Sequence, residues 1–148
     1  MVLNQQQIEH FMSEAMREGR KARDKCAPNP PIGCVLVNGG QIVSRGHTNE
    51  PGKPHAEAMA LEALKPVPDG TAAFVTLEPC SFQGKTPSCA KALIQSGIKE
   101  VYVGIVDPHP LNQGQGIALL EQAGVTVVTG ILSNDIADEL GPHLIRSI

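Results

Sequence analysis

The sequence predicts an α/β fold in which a mixed five-stranded sheet is covered by helices. Near the N-terminus, an apolar helical stripe is followed by two strands joined through Asn38-Gly39-Gly40. Asn-Gly favours the tight turn of an antiparallel hairpin. After the hairpin, helices and strands alternate three times, which favours parallel strands with helices on both faces. The 148 residues suit one domain of ordinary size, so we expect a single domain over residues 1–148.

The individual elements follow from apolar periodicity and from turn residues. The first helix carries an apolar stripe from Ile8 to Met16 and ends before the proline-rich segment 27–31. Strands are predicted at residues 32–37, 41–47, 72–77, 101–106 and 125–128. Later helices are predicted at residues 55–64, 86–96, 116–123 and 136–145. The second of these is predicted to begin with Thr86 as N-cap and Pro87 as the first helical residue.

Charge and aromatic content exclude one class of partner. The chain has 12 basic and 15 acidic residues, a formal net charge of -3, and aromatic residues make up 3% of it. A nucleic-acid-binding domain typically carries a basic patch, and proteins that bind single strands need aromatic side chains for stacking. We therefore expect no nucleic-acid partner.

The expected location follows from the first residues and from the cysteines. The N-terminal residues do not show a basic segment followed by an apolar one. No apolar stretch approaches the ~18 residues of a membrane helix. We therefore expect a cytoplasmic protein without membrane contact. In that reducing environment, grouped cysteines more often bind a metal or react than form disulfides.

One histidine and two cysteines are predicted to lie at the starts of two helices. His55 begins the second helix, whereas Cys80 precedes the third helix and Cys89 lies in its first turn. Helix N-termini favour the thiolate form of cysteine. One imidazole and two thiolates form a three-ligand zinc site whose open fourth position is typical of catalytic zinc. Glu57 lies in the same first turn as His55 and is the candidate proton shuttle.

The remaining two cysteines have a simpler interpretation. Cys34 lies inside an apolar strand and Cys26 precedes the proline-rich segment, so both are interpreted as packing residues. A closed structural zinc site with four cysteine ligands is the alternative. It would leave His55 and Glu57 without a role.

Further motifs surround these residues. They are Pro28-Asn29-Pro30 with Gly33-Cys34-Val35, Gly-Lys-Pro-His-Ala-Glu at 52–57, Thr-Leu-Glu-Pro-Cys-Ser at 76–81, Gly-Lys-Thr-Pro-Ser-Cys at 84–89, and Asp107-Pro108-His109-Pro110 with Gly114 and Gly116. With them, residues 11–130 strongly resemble the deaminase domain of the riboflavin-biosynthesis pyrimidine deaminases. His-x-Glu followed by Pro-Cys is also the general signature of zinc nucleobase deaminases, where two residues separate the cysteines. The eight residues between Cys80 and Cys89 are the variant of this family.

The resemblance implies a cytidine-deaminase-like fold, a three-layer α/β/α arrangement around a mixed five-stranded sheet. It implies Zn2+ held by His55, Cys80 and Cys89, with Glu57 as the catalytic proton shuttle. The implied reaction is the hydrolytic loss of ammonia from a diamino-pyrimidinone that carries a phosphoribosylamino group. An amino-pyrimidine nucleotide is therefore the expected small-molecule substrate.

The resemblance also points to residues that bind this substrate. Asn29 resembles the residue that hydrogen-bonds the substrate, and Lys85 lies where the family presents a basic residue to the phosphate or ribose. His47 and His109 are further candidates for the pocket. Phe82 stands beside the predicted metal site, where the family usually has a histidine.

Departures from the family pattern leave alternatives open. Phe82, together with the polar segment 109–113, is compatible with a deaminase of another nucleobase, nucleoside or nucleotide. A tRNA-editing deaminase is disfavoured by the net charge and by the lack of a basic tail. A non-catalytic zinc-binding scaffold for a separate reductase is the other alternative. Glu57 argues against it, because such a scaffold has no need of a proton shuttle.

The family's usual nicotinamide-dependent reductase domain is not recognised in the sequence. We therefore expect a stand-alone deaminase or an excised domain, with a separate reductase as a candidate partner. By analogy with relatives of this fold, we also expect a homo-oligomer, either a dimer or a tetramer.

Overall fold

The computed structural model describes residues 2–82 and 88–144. The strands in these ranges are β1 (Gly33–Asn38), β2 (Gln41–His47), β3 (Ala72–Leu77), β4 (Glu100–Ile105) and β5 (Thr126–Thr129). The helices are α1 (Gln5–Arg20), α2 (Ala56–Glu62), α3 (Cys89–Gln95), α4 (Gln115–Gln122) and α5 (Ser133–Leu144). None of these helices is both long and apolar enough to cross a bilayer.

The strands form one mixed sheet with the order β2-β1-β3-β4-β5. β1 pairs antiparallel with both of its neighbours, β2 and β3. β3, β4 and β5 are parallel, because a helix connects each of these strands to the next. The predicted mixed five-stranded sheet is therefore confirmed.

Helices cover both faces of the sheet, as the sequence predicts. A Cβ atom on Gly33 would lie 1.8 Å from the carbonyl oxygen of Ala15 in α1. On the other face, a Cβ atom on Gly46 would lie 2.1 Å from the carbonyl oxygen of Ala56 in α2. These two glycines allow α1 and α2 to pack directly against the backbone of β1 and β2.

The core beneath α1 contains three of the four aromatic residues. Phe74 of β3 stacks on Tyr102 of β4 with ring centroids 4.4 Å apart, and Phe11 of α1 packs on Phe74 at 5.5 Å. All three side chains are buried. Phe82, the fourth aromatic residue, is 45% exposed. It therefore contributes little to this core and is available to the functional site.

Some predicted element boundaries need correction. The helix predicted from residue 86 begins at Cys89, and its N-cap is Ser88, whose Oγ accepts a hydrogen bond from the backbone N–H of Lys91 at 3.3 Å. The prediction of Thr86 as N-cap is therefore wrong, since Ser88 has an equivalent hydroxyl closer to the helix. Thr86 and Pro87 lie outside the described residues. Helix α2 is shorter than predicted at both ends, since His55 is its N-cap and Ala63 its C-cap. Helix α5 begins three residues before the predicted start, at Ser133.

Candidate metal centre and substrate cavity

Three candidate metal ligands from separate parts of the chain meet at one point. His55 Nδ1 lies 3.2 Å from Cys89 Sγ and 3.9 Å from Cys80 Sγ. The three side chains offer donor atoms that all lie within 4.8 Å of one another. A tetrahedral zinc ion with bonds of about 2.0–2.3 Å needs donors roughly 3.5–3.8 Å apart. The donor set therefore fits zinc in both chemistry and spacing.

The first turns of two helices place these ligands. His55 is the N-cap of α2, and Cys89 is the first residue of α3. Cys80 is tied to the start of α3, because its carbonyl oxygen accepts hydrogen bonds from the Ser88 hydroxyl at 2.8 Å and from the Ala90 N–H at 3.0 Å. Its sulfur accepts a third hydrogen bond, from the Cys89 N–H at 3.2 Å. The loop and the helix therefore position Cys80 together.

The local electrostatics favour a thiolate at Cys80. A hydrogen bond from Cys89 lowers the pKa of Cys80 to about 4, with help from His55 and against the effect of burial. The same hydrogen bond, burial and the nearby Glu57 carboxylate raise the pKa of Cys89 above its ordinary value. The surroundings therefore favour the thiolate at Cys80 and the thiol at Cys89. Binding of a divalent cation would release the proton of Cys89, because cysteine binds metals as a thiolate.

Glu57 lies beside the candidate ligands and is almost completely buried, with 5% of the residue exposed. Burial, followed by the negative charge of Cys80, raises the pKa of Glu57 to about 7. A carboxyl group with such a pKa accepts and releases a proton near neutral pH, which is the property required of a general acid and base. Its neighbour in β1, Cys34, is fully buried as predicted, and burial raises the pKa of that thiol.

A cavity of about 430 Å³ opens beside the candidate ligands. Its polar lining consists of Asn29, Thr48, His55, Glu57, Glu78, Cys80, Asp107 and His109. The volume lies within the range of small-molecule sites, roughly 300–1,000 Å³. Among the described lining residues there is no lysine or arginine. Most of the polar groups that a substrate would meet are therefore neutral or acidic.

Thr48 holds the wall of the cavity that carries Asn29. The Thr48 hydroxyl donates to the carbonyl oxygen of Pro30 at 2.9 Å and accepts from the N–H of Ile32 at 2.8 Å. The Thr48 N–H donates to the Ile32 carbonyl oxygen at 3.0 Å. Thr48 is 6% exposed. It thus joins the end of β2 to the proline-rich segment. Asn29, which belongs to this segment, lines the cavity.

Three of the five predicted substrate residues line the cavity. They are Asn29, Phe82 and His109. The backbone N–H of Leu111 donates to His109 Nδ1 at 3.2 Å, which leaves Nε2 as the protonated nitrogen of a neutral His109 ring. Lys85 lies outside the described residues.

His47 is the predicted residue that the structure does not bring to the cavity. Its Nδ1 lies 3.0 Å from Glu18 Oε2 in α1, and it does not belong to the described lining. Successive residues of a strand point to opposite faces of the sheet. Because Gly46 faces α2, His47 faces α1 instead.

Glu78 is a functional-site residue whose role the sequence did not reveal. Its Oε1 accepts hydrogen bonds from the backbone N–H groups of Asp107 at 3.1 Å and Gly114 at 3.0 Å, and its Oε2 accepts one from Ile117 at 3.0 Å. Gly114 is the N-cap of α4, so the Glu78 carboxylate caps that helix. The partners lie 29 to 39 residues further along the chain. The one signal in the sequence is the position of Glu78 directly before Pro79-Cys80.

The chain matches the family model for the cytidine and deoxycytidylate deaminase zinc-binding region over residues 5–105. The match covers more than half of the chain, and the chain therefore belongs to this deaminase family. The family's zinc-binding region and the His-Cys-Cys group together confirm the predicted zinc cofactor. They also confirm the predicted class of protein, a zinc-dependent hydrolytic deaminase.

Individual relatives narrow this class. The chain is 39% identical over 140 residues to the riboflavin biosynthesis protein RibD of Escherichia coli, with 95% of the chain and 38% of the relative covered. It superimposes on RibD of Acinetobacter baumannii with a TM-score of 0.91 at 36% identity, covering 95% of the chain and 40% of that structure. The predicted resemblance to riboflavin-pathway deaminases and the predicted fold are thereby confirmed.

A further solved relative is described by its activities. The chain superimposes with a TM-score of 0.86 at 38% identity on a diaminohydroxyphosphoribosylaminopyrimidine deaminase/5-amino-6-(5-phosphoribosylamino)uracil reductase from Thermotoga maritima. The superposition covers 93% of the chain and 40% of that protein. The chain thus spans about two-fifths of the length of these relatives.

Proposed function

We propose that the chain deaminates a diamino-pyrimidinone carrying a phosphoribosylamino group, the substrate class named for the Thermotoga maritima relative. Zn2+ is held by His55, Cys80 and Cys89, and Glu57 is the catalytic proton shuttle. The observation that carries the proposal is the position of these four side chains. The ligands meet within 4.8 Å, and His55, Cys80 and Glu57 line one cavity of about 430 Å³.

Zinc and the residues of the chain contribute different parts of the reaction. When bound, zinc supplies the Lewis acidity that makes water a nucleophile at neutral pH. The Glu57 carboxylate takes a proton from the attacking water and delivers it to the ring nitrogen next to the reacting carbon. Glu57 then transfers the second proton of the water to the departing amine. The balance is loss of one ammonia and gain of one carbonyl oxygen, with Glu57 returned to its starting state.

The cavity walls supply the groups that orient the pyrimidine. The Asn29 carboxamide offers both a donor and an acceptor to the ring edge, and His109 Nε2–H offers a donor. Phe82 provides an apolar surface at the mouth of the cavity, where 45% of it is exposed. Lys85 is proposed to meet the phosphate or ribose, on the basis of its position in the family motif. His47 contacts Glu18, so any effect of His47 on the substrate is indirect.

The proposal extends to partners and location. The relatives are longer, and the Thermotoga maritima protein is named for a reductase as well as a deaminase. A reductase is therefore the proposed consumer of the product, whether on a separate chain or on the same one. A homo-oligomer in the cytoplasm completes the proposal. None of the four described cysteines forms a disulfide, which suits a reducing compartment.

Ammonia release across a panel of substrates tests this proposal. The zinc-loaded chain is incubated with the phosphoribosylamino diamino-pyrimidinone, with the same base lacking ribose phosphate, and with cytosine, cytidine, deoxycytidylate and guanine. We expect turnover of the first compound at least about a hundredfold faster than of the others, since the site is built to pair with polar groups that they lack. Turnover of free cytosine or guanine without turnover of the phosphoribosyl compound would contradict the substrate assignment.

A further inference from the structure

Asn112 is a completely buried amide between β4 and α4, with 0% of its surface exposed. Its Oδ1 accepts a hydrogen bond from the backbone N–H of Ser81 at 2.9 Å. Its Nδ2 donates to the carbonyl oxygen of Pro79 at 3.3 Å and to Asp107 Oδ2 at 3.3 Å. Both the oxygen and the nitrogen of the Asn112 carboxamide therefore have hydrogen-bond partners within the protein.

The two backbone partners of Asn112 are the residues on either side of Cys80. One hydrogen bond holds the peptide group before the ligand, and the other holds the peptide group after it. The Cys80 carbonyl is held in turn by Ser88 and Ala90 at the start of α3. Rotation of the backbone at Cys80, which would swing its sulfur away from His55, therefore requires that a buried amide lose its partners.

The third partner of Asn112 belongs to the substrate cavity. Asp107 lines the cavity and is 8% exposed. Its Oδ2 accepts from Asn112, whereas its Oδ1 accepts from the N–H of His109 at 3.0 Å. Asn112 thus connects the loop that carries a metal ligand to the loop that carries two cavity residues.

We propose that Asn112 is a positioning residue for the metal centre. Its carboxamide holds the backbone on both sides of Cys80 and so fixes the orientation in which the sulfur meets the metal. It acts through Cys80 and touches neither metal nor substrate. The inference rests on the proposed function only in taking Cys80 as a zinc ligand.

Zinc affinity of the purified chain tests this role without any substrate. The dissociation constant is measured by competition with a chromophoric chelator for the parent and for Asn112→Leu, which preserves size but removes all three hydrogen bonds. We expect zinc to bind about 10–100-fold more weakly to Asn112→Leu, the loss typical for groups that orient a metal ligand. In the Co2+-substituted protein, the sulfur-to-metal charge-transfer bands are expected to weaken or shift.

Asn112→Asp provides a second, more conservative variant. It retains an oxygen that accepts from Ser81 but cannot donate to the Pro79 carbonyl when ionised, and it brings a second carboxylate to Asp107. We expect its zinc affinity to fall as well, because the Pro79 carbonyl and the Asp107 carboxylate then face a second carboxylate in place of a donor. If Asn112→Leu does not fold, the zinc affinity of Asn112→Asp tests the positioning role.

Asn38 is the matched control at the opposite end of the sheet. Its Nδ2 also ties two segments together, donating to the Asp69 carbonyl oxygen and to Thr71 Oγ1, both at 3.0 Å. Asn38→Leu and Asn38→Asp are expected to lower the midpoint of thermal unfolding but to leave zinc affinity unchanged.

The outcomes separate this inference from the proposed function. If the parent binds zinc and either Asn112 variant binds it as tightly, the positioning role is contradicted. Equal losses of zinc affinity in the Asn38 and Asn112 variants also contradict it, because the effect would then be one of general stability. A folded parent that binds no zinc contradicts the proposed function itself.

Discussion

Gly116 lies so close to Pro79 that a Cβ atom on residue 116 would stand 1.8 Å from the Pro79 carbonyl oxygen. Pro79 directly precedes Cys80, so the first turn of α4 packs against the backbone of the ligand loop. Glu78 reinforces this contact by capping the same helix through Gly114 and Ile117. The start of α4 is therefore part of the support of the metal site.

Replacement of Gly116 by alanine is expected to damage this support. The new methyl group meets a backbone oxygen, which cannot move aside as a flexible side chain would. We expect a loss of about 1–3 kcal/mol in the free energy of unfolding, as for other overpacked sites, together with weaker zinc binding. Denaturant unfolding and chelator competition measure the two effects.

Gly141→Ala is the control for the Gly116 substitution. Gly141 lies in α5, and a Cβ atom there would meet nothing within 4 Å. Alanine is favoured over glycine within helices by up to about 1 kcal/mol, but Pro142 follows Gly141, and a Cβ atom before proline is disfavoured in a helix. These effects oppose each other, so Gly141→Ala should change stability little and keep full zinc affinity. If Gly116→Ala had the same stability and zinc affinity as Gly141→Ala, the close contact between Gly116 and Pro79 would not support the metal site.

Thr48→Val is expected to loosen the cavity wall that carries Asn29. Valine has the shape of threonine but leaves the Ile32 N–H and the Pro30 carbonyl without the hydroxyl, and both atoms are buried partners of Thr48. The Ile32 N–H and the Pro30 carbonyl keep the 3.0 Å hydrogen bond between them, so the expected cost is about 1 kcal/mol in the free energy of unfolding. We expect a rise in KM that exceeds the fall in kcat. Steady-state kinetics of ammonia release measure the changes in KM and kcat separately.

Ser44→Ala is the matched control for Thr48. The Ser44 hydroxyl donates to the Ala60 carbonyl oxygen at 2.6 Å between β2 and α2, and Ser44 does not belong to the described cavity lining. We expect Ser44→Ala to lose stability with an unchanged KM. An unchanged KM in Thr48→Val would mean that the segment around Asn29 does not meet the substrate.

Glu18 is expected to make the fold sensitive to acid. Burial raises the pKa of its carboxyl group, but hydrogen bonds from Lys21 and His47 outweigh burial, so the pKa lies below its ordinary value of 4.5. Arg45 approaches the same carboxylate at 3.8 Å. A depressed carboxyl pKa contributes stability that is present above the unfolded pKa and is lost as the pH falls through the folded pKa.

The comparison of Glu18→Gln with the parent tests this pH dependence. Between about pH 5 and pH 3, the free energy of unfolding of the parent should fall more steeply than that of Glu18→Gln. Glu62→Gln, which removes an exposed ion pair with Lys65 at 2.7 Å, should retain the slope of the parent. Parallel curves for the parent and Glu18→Gln would contradict the role given to Glu18.

The sheet and the group of candidate metal ligands are predictable from the sequence because both leave local signals. Strand and helix periodicity identified the elements, and His55, Cys80 and Cys89 are chemically distinctive residues at helix starts. The family motif points to Asn29 as a pocket residue, whereas His47 is only a further candidate. Their places depend on the direction in which each side chain leaves the backbone, and the alternation of β2 turns His47 towards Glu18.

The supporting residues could not be predicted from local signals. Glu78 and Asn112 meet backbone partners 29 to 39 residues away in the sequence, and their roles depend on how the ends of β3 and β4 pack together. Asn112 was noticeable only as a polar residue in an unusually polar segment. The predicted start of α3 differs from the observed one because Thr86 and Ser88 are both suitable N-cap residues, and Pro87, which suits a first helical position, favours Thr86 in the sequence.

Removal of one sulfur ligand is expected to abolish tight metal binding. Cys89→Ser should reduce bound zinc from one ion per chain to a small fraction, since a serine hydroxyl replaces a thiolate in the group formed with His55 and Cys80. Cys26→Ser is the control, because Cys26 is buried and does not belong to this group. Elemental analysis after dialysis against a weak chelator measures the number of zinc ions per chain. Full zinc occupancy in Cys89→Ser would remove Cys89 from the ligand set.

The most direct test of the account is ammonia release by zinc-loaded protein from the phosphoribosylamino diamino-pyrimidinone, compared with Glu57→Gln at equal zinc content. The account predicts one ammonia per substrate consumed, loss of activity on zinc removal, and its recovery when zinc is restored. Glu57→Gln should retain zinc and lose about 10²–10⁴-fold in kcat, the usual contribution of a general acid and base. Full activity in zinc-loaded Glu57→Gln, or no ammonia from the folded zinc-loaded parent, would contradict the account.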